Sequence, residues 1–343
     1  RTGPGSHTIT PGTIAFNDVS FGGVQVTTTL VGSLTVNGTL TIADTLSSPG
    51  SINGGTLLAN GNVVFSSYGK SGTAALTLGG GSNTTLTVAA TAYRMTGTVT
   101  VAKTGGTSVT LASAASFGSA GQDVTVTSGT LSLASYALTV TNTLTVASGA
   151  TLNCGTGSAT AATYVFNGNI ICGPTWGISW TGASTDNLWN TAGNWAGGVV
   201  PTTTDVALFN GNCAGANCNA NINANISVKG IDVKSTYTGT ITQNSTRTIT
   251  IGTSGWSHTA GTFAGGDSAI TMNGSFALSG GTFAASSGTT TLSGAFSYVV
   301  SGSPTYNHNS GTLAISGNTI TNSFTPGTVE YYNVNFAGDR VTT

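Results

Sequence analysis

Short runs in which apolar and hydroxyl residues alternate recur along the chain. Leu34-Thr35-Val36, Leu40-Thr41-Ile42, Ala75-Leu76-Thr77-Leu78, Val124-Thr125-Val126, Leu138-Thr139-Val140 and Leu144-Thr145-Val146 set aliphatic side chains on one side of an extended backbone and threonine on the other. A period of two predicts short strands with one buried face. Gly, Asn and Ser interrupt the runs at short intervals, as at Asn37-Gly38, Asn60-Gly61 and Asn273-Gly274. Such pairs are expected to supply the positive φ of sharp corners.

A longer period overlies the short one. Gly261-Thr262-Phe263-Ala264 returns as Gly281-Thr282-Phe283-Ala284, and Thr271-Met272-Asn273-Gly274-Ser275-Phe276 returns as Thr291-Leu292-Ser293-Gly294-Ala295-Phe296, both after 20 residues. A repeat of this length predicts a β-solenoid. Asn-Gly between alternating runs is also a hairpin signal, so a sandwich or meander is the alternative. Hairpins would not bring the same Gly-Thr-Phe phase back after two or three turns of chain. A coil that climbs about 4.8 Å per circuit does, because it lays like residues over like. The expected fold is all-β, a parallel β-solenoid, right-handed by the usual crossover preference. Its coils should cover residues 1–172 and 219–343, on either side of an irregular insert or cap at 173–218.

Composition supports this and narrows the function. Among 343 residues there are 65 threonines, 51 glycines and one glutamate, so surface helices lack their usual residues. Hydrophobic residues make up 38% and the net charge is -1, which sets the chain apart from disordered sequences. Eight scattered Lys and Arg cannot build a field for nucleic acid. Membrane insertion is not expected either, since no apolar run is long enough. The opening residues carry no apolar signal-peptide core. No charge occurs between Asp123 and Asp186 or between Asp267 and Glu330. A surface of hydroxyls and amides suits an extracellular or cell-surface material better than a cytosolic one.

The middle segment departs from the pattern. Its four cysteines, Cys154, Cys172, Cys213 and Cys218, are expected to form two local disulfides, Cys154 with Cys172 and Cys213 with Cys218, in an oxidising compartment. The alternatives are free thiols or a zinc site, for which the spacing and the distant histidines are unfavourable. Between Pro174 and Pro201 stand Trp176, Trp180, Trp189 and Trp195. The run Trp180-Thr181-Gly182, Asp186-Asn187-Leu188-Trp189-Asn190, Gly193-Asn194-Trp195 and Val200-Pro201 through Asp205 resembles a signature of large bacterial surface proteins and autotransporter-like β-helical passengers and adhesins. That resemblance implies a surface β-helix and no chemistry. Trp180, Trp189 and Trp195 have two readings, an inward local core or an exposed platform for surface glycans.

The two ends share a motif. Thr10-Pro11-Gly12-Thr13-Ile14-Ala15-Phe16-Asn17-Asp18-Val19-Ser20-Phe21-Gly22-Gly23 and residues 325–338 are identical at seven of 14 positions. The expected assembly ends are therefore Pro11, Ile14, Phe16, Val19 and Phe21 at one end and Pro326, Val329, Tyr331, Val334 and Phe336 at the other. A solenoid end exposes unpaired backbone and open core. Contacts between such ends are heterologous and need not close, which predicts a head-to-tail homopolymer. The bland alternative is one module of a longer repeated protein.

Catalysis is not expected. A glycosidase needs facing carboxylates, and the only suggestive spacing is Asp186 to Asp205. His7, His258 and His308 lie far apart, and no nucleophile or metalloprotease motif occurs. No cofactor or metal is expected, since clustered acidic oxygens are lacking. The first expectation is a structural filament subunit, with an adhesin or glycan-binding module and a polysaccharide-active enzyme as alternatives. With so few titratable groups, tolerance of acid is also expected.

Overall fold

The computed structural model describes residues 5–23, 25–44, 50–89, 94–118, 121–173, 175–213, 218–316 and 322–336. They form an all-β fold of stacked parallel sheets, a β-solenoid. The chain divides into two compact units, Arg1–Asn169 and Ile170–Thr343. All strand pairings described in unit 1 are parallel.

In unit 1 each circuit contributes three short strands. The first three circuits run through Gly5–Ile9, Ala15–Phe16 and Val19–Phe21, then Val26–Leu30, Ser33–Val36 and Leu40–Asp44, then Ile52–Asn53, Thr56–Ala59 and Val63–Ser67. The second face is a sheet of eight strands ending at Thr163–Phe166. Its register puts Leu34, Leu57, Leu76, Val99, Val124 and Leu144 in one inward column, followed in register by exposed Tyr164. Thr77, Thr100, Thr125 and Thr145 form the outward ladder beside it. The alternation visible in the sequence thus becomes inside and outside, and the column residues up to Leu144 are buried.

The corners work differently from the sequence expectation. None of Asn37, Gly38, Asn60, Gly61, Asn273 or Gly274 has positive φ. These glycines are needed for close approach instead: a Cβ on Gly61 would collide with the backbone of Gly38 one circuit below, and one on Gly38 with Asn17 and Asp18. The asparagines join circuits. Asn60 Nδ2 donates to Asn37 Oδ1 at 2.8 Å. Elsewhere a side-chain oxygen accepts the N–H that starts a strand in the next circuit: Asp18 from Thr39, Asn62 from Thr85, Asn83 from Ser108, Asp123 from Thr143 and Asn225 from Thr248. Corner N–H groups outside the strand ladder are satisfied this way. Gly61→Ala should cost about 1–3 kcal/mol through overpacking of the corner, read as a lowered midpoint in chemical denaturation.

Two lysines lie inside unit 1. Lys70 Nζ donates to Asp44 Oδ2 and to Gly23 O, both at 3.0 Å, and the ion pair is almost wholly buried. Lys103 Nζ donates to Gly79 O, and burial pushes its pKa below the ordinary lysine value.

Unit 2 begins with a reversal. Asn169–Cys172 pairs antiparallel with Gly177–Ser179, and Gly177–Ser179 then pairs parallel with Val206–Phe209. From Ala220 onward three faces are again wound. One inward column is Ala220, Ile241, Phe263, Phe283 and Tyr306. Phe263 and Phe283 are direct partners with ring centroids 4.8 Å apart, as the 20-residue repeat requires. A second column is Ile231, Trp256, Phe276, Tyr298 and Phe324. Here the repeat slips: Phe276 lies on Tyr298 and not on Phe296, because the corner after Leu292 takes up two more residues. Unit 1 is therefore filled mainly by aliphatic side chains, and unit 2 by interlocking aromatic rings.

Candidate functional site

The tryptophan segment is a small core built on the first strands of unit 2. Trp180, Trp189 and Trp195 are 1%, 1% and 2% exposed. Trp195 packs edge-on against both others, with centroids at 5.0 and 4.7 Å, and all three surround Phe209, which in turn meets Tyr237. Trp195 Nε1 donates to Trp189 O at 2.7 Å, so the indole donor is satisfied inside. Sugars stack on exposed ring faces, and these rings present none.

Buried Asn194 ties the segment together. Its backbone carbonyl accepts from the N–H groups of Thr181 and Gly182, its Oδ1 accepts from Ser184 N, and its Nδ2 donates to Asp186 Oδ1 and Leu188 O. Asp186 also accepts from Leu188 N and Thr191 Oγ1, and these hydrogen bonds hold its carboxyl below the ordinary aspartate value. Asp205 accepts from Thr202 N at 3.0 Å and Thr202 Oγ1 at 2.7 Å. Each carboxylate closes its own turn, and the two share no hydrogen-bond partner. Asn194→Ala should cost about 1–3 kcal/mol by leaving Ser184 N–H without its acceptor and Asp186 and the Leu188 carbonyl without the amide donor, measured as an earlier loss of tryptophan fluorescence on denaturation.

Cys213 and Cys218 are joined by a disulfide with Cα atoms 5.0 Å apart. Cys154 and Cys172 are also disulfide-bonded, and the described residues include no free cysteine. No group of three His, Cys, Asp or Glu among the described residues could hold a metal ion, and no helix there is long and apolar enough to cross a membrane.

The repeated motif occupies the first circuit of unit 1 and the last of unit 2. Its final positions, 337 and 338, lie outside the described residues. The Pro-Gly turns match, with φ of 64° at Gly12 and 66° at Gly327. The two copies expose opposite halves. In the first, Ile14 is 64% and Phe16 40% exposed, while Val19 is half-buried and Phe21 buried under Leu40–Asp44. In the second, Val329 and Tyr331 are half-buried, and Val334 is 39% and Phe336 48% exposed. Pro11 is buried and Pro326 half-buried. Tyr331 Oη hydrogen-bonds with Tyr298 Oη at 3.1 Å and with Pro326 O at 3.2 Å, which pins the second copy onto the circuit below. With Tyr332, these positions supply five of the eleven large hydrophobic residues exposed among those described. An apolar cavity of about 390 Å³ opens beside the first copy, lined by Ile9, Phe16, Val19, Phe21, Val26 and Leu34, with His7 and Lys70 at its polar side.

The shared motif was legible in sequence; its complementary exposure was not, because it depends on which neighbouring circuit each copy has. No protein-family model, curated protein or solved structure matches the chain.

Proposed function

We propose that the protein is a structural, non-catalytic building block of an extracellular or cell-surface assembly, in which copies join through the end circuits of the solenoid. The carrying observation is the concentration of exposed large apolar side chains on a motif that occurs at both ends. Exposed apolar clusters mark contact surfaces. The disulfides and the 5% charge content fit an oxidising, extracellular setting. The self-contained hydrogen bonding of Asp186 and Asp205 supports a role without catalysis. Light scattering and electron microscopy of the purified chain across the micromolar range test this reading. Mass should grow with concentration and elongated particles should appear. A species that stays monomeric at every concentration overturns it.

A further inference from the structure

We infer that the joint between copies is a parallel, in-register addition of the first circuit of one chain onto the last circuit of another, with Val19 over Val334 and Phe21 over Phe336. This rests on the assembly reading above and specifies its partner and register. Four observations lead to it. Among the described residues, Ala15–Phe16 pairs only with Ser33–Val36, Val19–Phe21 only with Leu40–Asp44, and Asn333–Phe336 only with Thr312–Ile315. Each motif copy thus has one unpaired edge, on the side facing out of its own stack, and such edges template strand addition.

The second observation is direction and order. In the first copy the chain runs from Gly5–Ile9 through the Pro-Gly turn to Ala15–Phe16 and Val19–Phe21. In the second it runs from Ser323–Thr325 through the matching turn to Asn333–Phe336. Aligned motif to motif, Ile9 falls over Phe324 and Ser20 over Asn335. Gly5–Ile9 then meets Ser323–Thr325 and Val19–Phe21 meets Asn333–Phe336, both parallel, as neighbours in each winding are beyond the reversal near Cys172.

The third is the division of exposure. Ile14 and Phe16 would lie over half-buried Val329 and Tyr331, while exposed Val334 and Phe336 would lie under Val19 and Phe21. Ile14, Phe16, Val334 and Phe336 each then meet a residue of like character, the rule inside both units, while Tyr332 lies under Asn17. The fourth is shape. The cavity beside Phe16 and Phe21 is open at the circuit where the column of unit 1 begins, and the exposed ring of Phe336 stands where the column Val228, Ile251, Met272, Leu292 and Ile315 ends. Seated in that cavity, Phe336 would continue the apolar column from one chain into the next.

The test uses the full chain with paired cysteines. In Ser20→Cys/Asn335→Cys the new thiols face each other across the proposed joint. In Ser20→Cys/Asn333→Cys they are two residues out of register. Mild oxidation should link most of the first variant into dimers and higher multiples on a non-reducing gel and leave the second at background. Phe336→Asp, a change at an exposed position, should abolish concentration-dependent growth in mass while the circular dichroism of the chain is unchanged. Assembly with preferential linkage of the out-of-register pair, or assembly that survives Phe336→Asp, overturns this joint and leaves self-association standing. Failure of the wild-type chain to assemble overturns both.

Discussion

Replacing Phe283 by alanine is expected to cost unit 2 about 3–5 kcal/mol, the usual range for deleting a fully enclosed aromatic side chain. Phe283 is 2% exposed and lies at the hub of the ring network. Its centroid is 4.8 Å from Phe263, 5.1 Å from Phe276, 5.3 Å from Trp256 and 6.1 Å from Tyr306. Deleting it removes contacts to the circuits below and above together. In a stack stabilised by nearest-neighbour interfaces, a defect of that kind loosens adjacent circuits. Hydrogen exchange should show lost protection in Thr262–Ala264, Thr282–Ala284 and Thr305–Asn307, while Ser33–Val36 and Thr56–Ala59 in unit 1 keep theirs. Uniform loss across both units would contradict the division into separate cores.

Acid should weaken unit 2 through one histidine. His258 is fully buried in the column Phe209, Val233, His258, Leu278 and Val300, edge-on to Phe283 at 5.8 Å. Burial pushes its pKa down from 6.5 to about 4; the backbone of Gly261 and Thr282 pulls the other way without completing a hydrogen bond. A folded-state pKa below the unfolded one means that the unfolded chain binds the extra proton. Stability is therefore highest above pH 6.5 and falls as pH drops toward 4, by about 3 kcal/mol over the whole window. Asp186 and Asp267, held below the ordinary aspartate value by hydrogen bonds, lose their contributions only at more acidic pH. His258→Leu, which matches Leu278 in the same column, should flatten the pH dependence between 6.5 and 4. Denaturation midpoints of both proteins at intervals across that range check this, and equal slopes would refute it.

The comparison between sequence and structure divides along physical lines. Strand alternation, the like-on-like register of Thr262 with Thr282 and Phe263 with Phe283, and the solenoid itself were legible, since a buried face and a stacked repeat each leave a periodic trace. Features set by three-dimensional neighbours left no such trace. The corner glycines read as turn formers, yet Gly61 is there because Gly38 lies against it. The slip that sets Phe276 on Tyr298 follows from a corner's length, which the 20-residue repeat concealed. Expected acid tolerance rested on counting titratable groups and could not see that one of three histidines lies in a column of Val and Leu. The tryptophan signature was visible as a pattern, but its organiser, Asn194, looked like one more polar turn residue. The motif at the ends was found from identity alone, whereas the halves it exposes follow from position in the stack.

The uneven distribution of ring types gives the two units different optical properties. All five tryptophans, Trp176, Trp180, Trp189, Trp195 and Trp256, belong to unit 2. Indole emission therefore originates there alone, whereas unit 1 carries tyrosine and phenylalanine but no indole. A melting curve followed by emission records one unit only, and its difference from a far-ultraviolet curve isolates the other without any label.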